Sequence, residues 1–264
     1  MWKTIAVCIS TLVIPQIAVA SEAQPQSVDE IKECIERSGP KRSSVQEATL
    51  RTVDESGGTK ESEARLYWRK FDDGLSRALI RFDAPPDLRG SALLLIEKEG
   101  EDTDVYMYLP EFRKVRRVTT GMMSGSMFGT DFTYEEFERL YGLAEDLSSK
   151  RLADASIGDS AVYVVESKPE NEADSEYDRI VQYVEQKRCI PLKSEFFSGG
   201  DDPHKVMSVD EPSMRQINGA WVPSQVTMQD LKQGSHTTLV VKKVEVDVDV
   251  PERTFSQRSL SKGH

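Results

Sequence analysis

The chain reads as a mainly β protein, α+β in class, built on one large antiparallel sheet. Three observations predict this. About eleven segments alternate apolar and polar residues as half-buried strands do. Turns rich in Gly, Asp and Asn separate them at the spacing of a sandwich or barrel. Only two stretches carry a convincing helical period. Such a sheet must curl, either packing on itself or lying under the helices and enclosing a cavity.

The first twenty residues read as a processing signal. Met1-Trp2-Lys3 is a minimal positive start, Ile5–Ile14 an apolar run, and Ala18-Val19-Ala20 a small-residue cleavage pattern. The run is too short to span a bilayer as a mature helix. Cys8 sits inside it behind Val7, where a lipid-anchor cysteine does not belong. The expectation is a soluble chain exported to a periplasm, cleaved after Ala20, with residues 21–264 forming a single domain. Cleavage removes Lys3 and no acid, leaving 33 basic against 45 acidic side chains, a net charge of −12. That balance argues against nucleic acid and against electrostatic adhesion to anionic membrane.

Val28–Arg37 is the first helix. Val28, Ile31, Cys34 and Ile35 share a face, Ser27 with Glu30 makes a capping box, and Gly39-Pro40 stops it. The period then changes. Val45–Val53, Glu63–Phe71 and Ser76–Phe82 alternate as strands, joined at Ser56-Gly57-Gly58 and Asp72-Asp73-Gly74. Ala84–Gly90 is a stiff proline-bearing connection. Ala92–Glu97 holds Leu93-Leu94-Leu95-Ile96, a run suited to a strand covered on both faces, and Val105–Leu109 follows. Ser149–Ala155, Ala161–Ser167, Ile180–Glu185, Leu192–Phe197, Val206–Val209, Arg215–Ile217, Trp221–Gln229 and Thr237–Val248 continue the pattern. A polar excursion covers Lys168–Asp174, and Asn218-Gly219 is the strongest hairpin turn. The second helix is Glu135–Tyr141, with Thr133 and Glu136 as a capping box and Gly142 as C-cap.

The stretch from Asp104 to Gly142 organises the rest. Pro110-Glu111-Phe112 turns the chain into Arg113, Lys114, Arg116 and Arg117, a dense basic cluster in an acidic protein. The cluster suits a solvated edge that discourages sheet aggregation, or equally a docking point for an anionic head group or an acidic protein surface. Then come Gly121, Met122, Met123, Met127 and Phe128. This loop is either ordinary core closure or a compliant apolar gate, since thioethers adapt to varied shapes. Phe132, Tyr134 and Phe137 belong with it. Asp131, before the second helix, reads as a structural cap rather than a base.

Catalytic and metal motifs are weak. Gly125-Ser126-Met127-Phe128-Gly129 lacks the spacing of a nucleophile elbow. His204 or His236 can pair with a serine only through the fold. No phosphate loop occurs, and no metal or cofactor is expected, because the histidines are scattered and no CxxC is present. Cys34 and Cys189 survive cleavage. In an oxidising compartment they read first as a disulfide, and otherwise as two buried free thiols.

Several of these residues carry a family resemblance. Cys34 in a helix near the start, Trp68-Arg69-Lys70-Phe71, Tyr108-Leu109-Pro110, Arg116-Arg117, Phe128-Gly129-Thr130-Asp131-Phe132-Thr133-Tyr134-Glu135 and Cys189-Ile190-Pro191-Leu192 resemble the outer membrane lipoprotein-sorting proteins. The resemblance implies a LolA/LolB/RseB-like fold: a curved, incompletely closed antiparallel β-barrel with helices over its open side. Relatives of that fold hold or sense lipoprotein acyl chains, and members of this branch are associated with inner-membrane exporters of the resistance-nodulation-division type. The resemblance transfers no catalytic residue. The expected function is a monomeric periplasmic carrier or chaperone for a lipid or lipidated protein. Met122, Met123, Met127, Phe128, Phe132, Tyr134 and Phe137 would be its gate, and the basic cluster its docking point. The alternatives are a non-enzymatic adaptor for an envelope transporter or sensor and, behind it, a lipid esterase.

Overall fold

The computed structural model describes residues 27–143, 147–169 and 175–262. The processing signal and most of the excursion Lys168–Asp174 lie outside the described residues. The first helix, α1, covers Val28–Ser38 and carries the expected capping box, Ser27 Oγ accepting from Glu30 N and Glu30 Oε2 from Ser27 N. Six strands follow as a meander: β1 (Ser43–Val53), β2 (Thr59–Lys70), β3 (Ser76–Ala84), β4 (Ala92–Lys98), β5 (Glu101–Leu109) and β6 (Lys114–Arg117). Helix α2 (Tyr134–Leu140) comes next. Then come β7 (Leu147–Arg151), β8 (Ala155–Ile157), β9 (Ser160–Pro169), β10 (Arg179–Glu185), β11 (Ile190–Phe197), β12 (Lys205–Val209), β13 (Arg215–Ile217), β14 (Ala220–Val222), β15 (Gln225–Asp230) and β16 (Ser235–Val246). A short helix, α3 (Gln257–Ser261), ends the described chain.

The two halves join because the first strand pairs with the last. β16 runs antiparallel along β1, from Ser44 opposite Val246 to Val53 opposite His236. The result is one sheet of fourteen strands in the order β6-β5-β4-β3-β2-β1-β16-β15-β12-β11-β10-β9-β7, with β8 on β9. Register shifts at Glu47/Ala48, Glu63/Ala64, Ile96/Lys98 and Tyr183/Val184 bend it. The sheet is curved and does not close, for its end strands β6 and β7 are not paired with each other.

This topology places the functional stretch. β6 and β7 are consecutive in the chain yet stand at opposite edges of the sheet. The described part of the segment between them, residues 118–143, crosses the concave face. Its side chains meet core residues from both halves: Leu50, Leu66, Phe82, Leu95 and Val105 on one side, Ile180, Phe196, Met228 and Leu239 on the other. On β10, Ile180 lies in this core while Val184, on the same face, packs under α1 with Tyr163, Val165 and Ile31. Both helices thus cover the concave face.

The expected two-faced strand is present. On β4, Leu93 and Leu95 join the concave core while Ala92 and Leu94 pack outward against Val250, Phe255 and Leu260. The C-terminal segment is therefore the outer cover of β3 and β4. Arg81 points the same way, and its guanidinium donates to the Ser259 and Leu260 carbonyls, closing the end of α3.

Three segments differ from the sequence expectation. Trp221–Gln229 divides into β14 and β15 because Pro223 lacks a donor for the ladder. Ser149–Ala155 divides into the ends of β7 and β8. The last strand stops at Val246, although Val248 and Val250 continue the alternation. Asp247 adopts φ 57°, and its Oδ1 accepts from Lys41 N at 3.0 Å and Arg42 N at 2.7 Å. That contact turns the chain away from the sheet. The described residues hold sixteen strands against the eleven or so expected, and these two divisions and the short β6 account for three of the difference. Asn218 and Gly219, at φ 51° and 86°, make the expected hairpin between β13 and β14.

Candidate functional site

The site is built from the crossing segment. Leaving β6, the chain makes a single turn at Thr120–Met122, and Gly125 N donates to the Met122 carbonyl. A Cβ at Gly125 would stand 2.9 Å from that oxygen, so the reversal needs glycine. A small pinned loop follows. Met127 N donates to Phe132 O at 2.8 Å, Thr130 Oγ1 to Met127 O at 2.7 Å, and Ser126 Oγ to Thr130 O at 2.7 Å. These bonds aim Met127 and Phe132 inward together. Phe128 and Gly129 form the tip at φ 51° and 78°, with the Phe128 ring 4.8 Å from that of Phe82.

Of the proposed gate residues, Met127, Phe132, Tyr134 and Phe137 are buried in the concave core, and Met123 and Phe128 pack against it half-buried. Met122 is not with them; it stands 41% exposed. The loop has a second face. Ser124, Ser126, Gly129, Thr130 and Asp131 line a polar cavity of about 410 Å³ together with Asp54, Glu176, His204, Lys205, Asp230 and Ser235. One short segment therefore presents apolar side chains to the core and hydroxyls to a cavity.

The basic cluster divides between two faces. In the β5–β6 ladder Lys114 lies opposite Leu109 and Arg116 opposite Met107, while Val115 and Arg117 lie opposite Tyr108 and Tyr106. Opposed residues share a face. Lys114 and Arg116 thus stand on the concave side with Met107, and Arg117 on the outer side, ion-paired to Asp104 at 2.6 Å. Arg116 lies 4.9 Å over the ring of Phe112, which is 47% exposed. Arg113 sits in the turn at φ 48°.

A polar lock that sequence reading missed holds α2 down. Glu136, fully buried, caps its own helix by accepting from Thr133 N at 2.8 Å. Its carboxylate also accepts from the Tyr177 hydroxyl and faces Lys205 Nζ at 3.4 Å. Lys205 donates as well to the Asp131 carbonyl at 2.8 Å. Burial raises the Glu136 pKa, and Lys205 opposes that shift. Asp131 is structural, as expected, but is not the cap. Thr133 caps α2, and the Asp131 carboxylate instead accepts from Ser235 Oγ and from Thr237 Oγ1, tying the loop to β16. One signal for the lock was present in the sequence: Lys205 alternates with Met207 and Val209, both packed on the concave core, so a lysine stands on an apolar face.

Glu138 of the same helix is also buried, and burial pushes its carboxyl up to about 7, with Thr103 and Arg139 pulling the other way. Its unfolded value is 4.5. Between those values the folded chain holds the proton more tightly, so this contribution is complete below 4.5 and is lost as pH rises through about 7. Urea unfolding between pH 5 and pH 8 should show stability falling by up to roughly 3 kcal/mol from this group, and Glu138→Gln should flatten that slope. An unchanged slope would mean Glu138 titrates in water.

Two further expectations are placed by the structure. Cys34 and Cys189 form a disulfide, anchoring α1 to the start of β11. Among the described residues no serine hydroxyl hydrogen-bonds to His204 or His236. Nor do they hold a group of three metal-ligating side chains, or a helix long and apolar enough to cross a membrane.

The architecture is shared with solved structures. A domain named as an outer membrane lipoprotein-sorting protein from Vibrio parahaemolyticus superposes with a TM-score of 0.79 at 21% identity, covering 88% of this chain and 97% of that one. A DUF1329 family protein from Desulfovibrio piger gives 0.80 at 22% identity, over 88% and 96%. A LolA superfamily protein from Nitrosomonas europaea gives 0.68 at 19%, over 89% and 100%. No curated protein matches the chain. An open antiparallel barrel whose mouth is crossed by its own loop and helix defines the LolA-like fold class. Within it, a family model described as that of an uncharacterized protein matches residues 74–262. The chain belongs to that family.

Proposed function

We propose that the protein is a periplasmic carrier or chaperone, exported by cleavage after Ala20 as one monomeric domain, that holds an acyl chain of a lipid or lipidated protein on the concave face of its sheet. The observation that carries this reading is that the concave core of an open, LolA-like sheet is completed by one crossing segment rich in Met, Phe and Gly. The loop's own side chains fill the space, so loading means withdrawing Met127, Phe128 and Phe132 from the core and laying them over the ligand chain as its cover. Each methylene transferred from water contributes about 0.8 kcal/mol, so a long chain can offset the loop's displacement. No covalent chemistry is involved. The names of the structural relatives, which include a lipoprotein-sorting protein, agree with such a cargo.

The test is to replace Met122, Met123 and Phe128 together with Ser and measure lipid retained after detergent-free purification. We expect the triple variant to remain folded and to retain about tenfold less lipid, since two half-buried apolar contacts are lost. Met122→Ser alone should change little, because that side chain is exposed. Unchanged retention in the folded triple variant would remove the loop from the binding site.

A second reading is favoured by the edge strand β6. Arg113, Lys114, Arg116 and the exposed Phe112 border an unpaired sheet edge, a surface suited to an acidic partner segment. In this reading the protein is an adaptor for an envelope transporter, of the resistance-nodulation-division type, or for a sensor. Recovery of a membrane transporter by a protein that is itself lipid-free would favour it.

A further inference from the structure

We propose that the polar cavity behind the crossing loop is a head-group subsite for a neutral, hydroxyl-rich group such as a sugar ring, which gives the carrier its choice of lipid. This rests on the carrier reading and names the cargo class for the same site.

The cavity, about 410 Å³, falls in the range of small-ligand sites. Five separate parts of the chain converge on it: the β1–β2 hairpin with Asp54 and Lys60, the crossing loop with Ser126 and Thr130, Glu176 ahead of β10, the start of β12 with His204 and Lys205, and the β15–β16 hairpin with Asp230 and Gln233. Its position follows from the loop's two faces. Met127 and Phe128 point to the acyl-binding core, and the residues either side of them, Ser126 and Gly129, point to the cavity. A ligand with an apolar tail in the core and a polar head here would bind both faces of one loop.

The charges select the head. Five carboxylates line the cavity, from Asp54, Glu55, Asp131, Glu176 and Asp230, and they disfavour a phosphate. Lys60 and Lys205 stand in the same wall, and Asp54, Asp131 and Asp230 already accept from backbone or hydroxyl donors, which weakens their pull on a quaternary ammonium, a group with no hydrogen to donate. A neutral group that both donates and accepts can satisfy a wall of mixed sign. His204 supplies the most specific cue. Its Nδ1 is buried with no hydrogen-bond partner among the described residues. Its Nε2 stands 3.8 Å from Asp230 Oδ2, too far for a direct bond. Burial lowers the His204 pKa, which keeps the ring neutral near pH 7. A hydroxyl seated beside the pair, accepting from Nε2 and donating to the carboxylate, would bridge them. Asp230 is held ready for this, since its oxygens already accept from Lys232 N and from Gln233 N and Nε2.

Three probes with the same tail separate the possibilities: decyl glucoside, decyl phosphate and decyl trimethylammonium, titrated calorimetrically below their micelle-forming concentrations. We expect the glucoside to bind about tenfold more tightly than either charged probe, the weight of one or two additional hydrogen bonds. His204→Phe, which keeps an aromatic ring beside Tyr177, should abolish that preference while leaving the charged probes within about threefold of their original affinity. Glu176→Gln serves as a second variant should the first fail to fold. Equal binding of all three probes, or tighter binding of a charged one, would overturn the head-group subsite and leave the carrier reading standing. Binding of none would overturn the carrier reading, and the subsite with it.

Discussion

Replacing Cys34 and Cys189 with serine lowers the stability of the oxidised protein by about 4–5 kcal/mol in chemical denaturation. The magnitude follows from loop closure. The bond joins residues 155 apart in sequence, and in the chain-entropy model so long a loop constrains the unfolded state by about 5 kcal/mol. Local packing cannot replace it, because α1 buries only Ile31 fully and otherwise rests half-exposed on β9 and β10 through Val28 and Ile35. Amide exchange in Val28–Ser38 should therefore rise more than exchange in β1 or β16. A reducing agent should destabilise the parent protein by a similar amount and leave the double serine variant unaffected. Equal stability of the two proteins under oxidising conditions would mean the bond is not formed in the folded chain.

The second large effect is expected at the lock beneath α2. Lys205→Met leaves the Glu136 carboxylate buried without its cation, and breaking a buried pair in this way costs about 3–5 kcal/mol. The pH dependence gives the mechanism away. Burial already raises the Glu136 pKa, and losing Lys205 raises it further. The variant should thus suffer more at pH 8, where Glu136 must ionise, than at pH 5, where it can keep its proton. Adding Glu136→Gln should recover most of the loss, because a neutral amide can still accept from Tyr177 and Thr133. A double variant no more stable than Lys205→Met would show that the two side chains do not interact.

How much of this was legible in the sequence depends on the range of each interaction. Local signals were sound. Both capping boxes, Ser27 with Glu30 and Thr133 with Glu136, stand where their spacing put them. The Asn218-Gly219 turn and the two-faced strand Leu93–Ile96 did too. What failed to show was set across the fold. Asp247 ends β16 by capping amides about two hundred residues away in the chain, and no periodicity marks that. The basic cluster looked continuous, yet a strand's period of two sends Arg117 to one face and Arg116 to the other. The polar cavity collects side chains from five distant segments, so nothing in any one of them announces it. Lys205 was the exception, a single charge on an otherwise apolar alternating face.

The central claim is that the concave face accepts an acyl chain. Native mass spectrometry on the mature protein, purified from a periplasm without detergent and compared before and after solvent extraction, tests it most directly. The carrier reading predicts a bound lipid or acylated peptide that leaves with the solvent, and lower occupancy in the Met122/Met123/Phe128 serine variant. A bare chain mass before extraction, with no uptake on incubation with lipid vesicles or an acylated peptide, would contradict it.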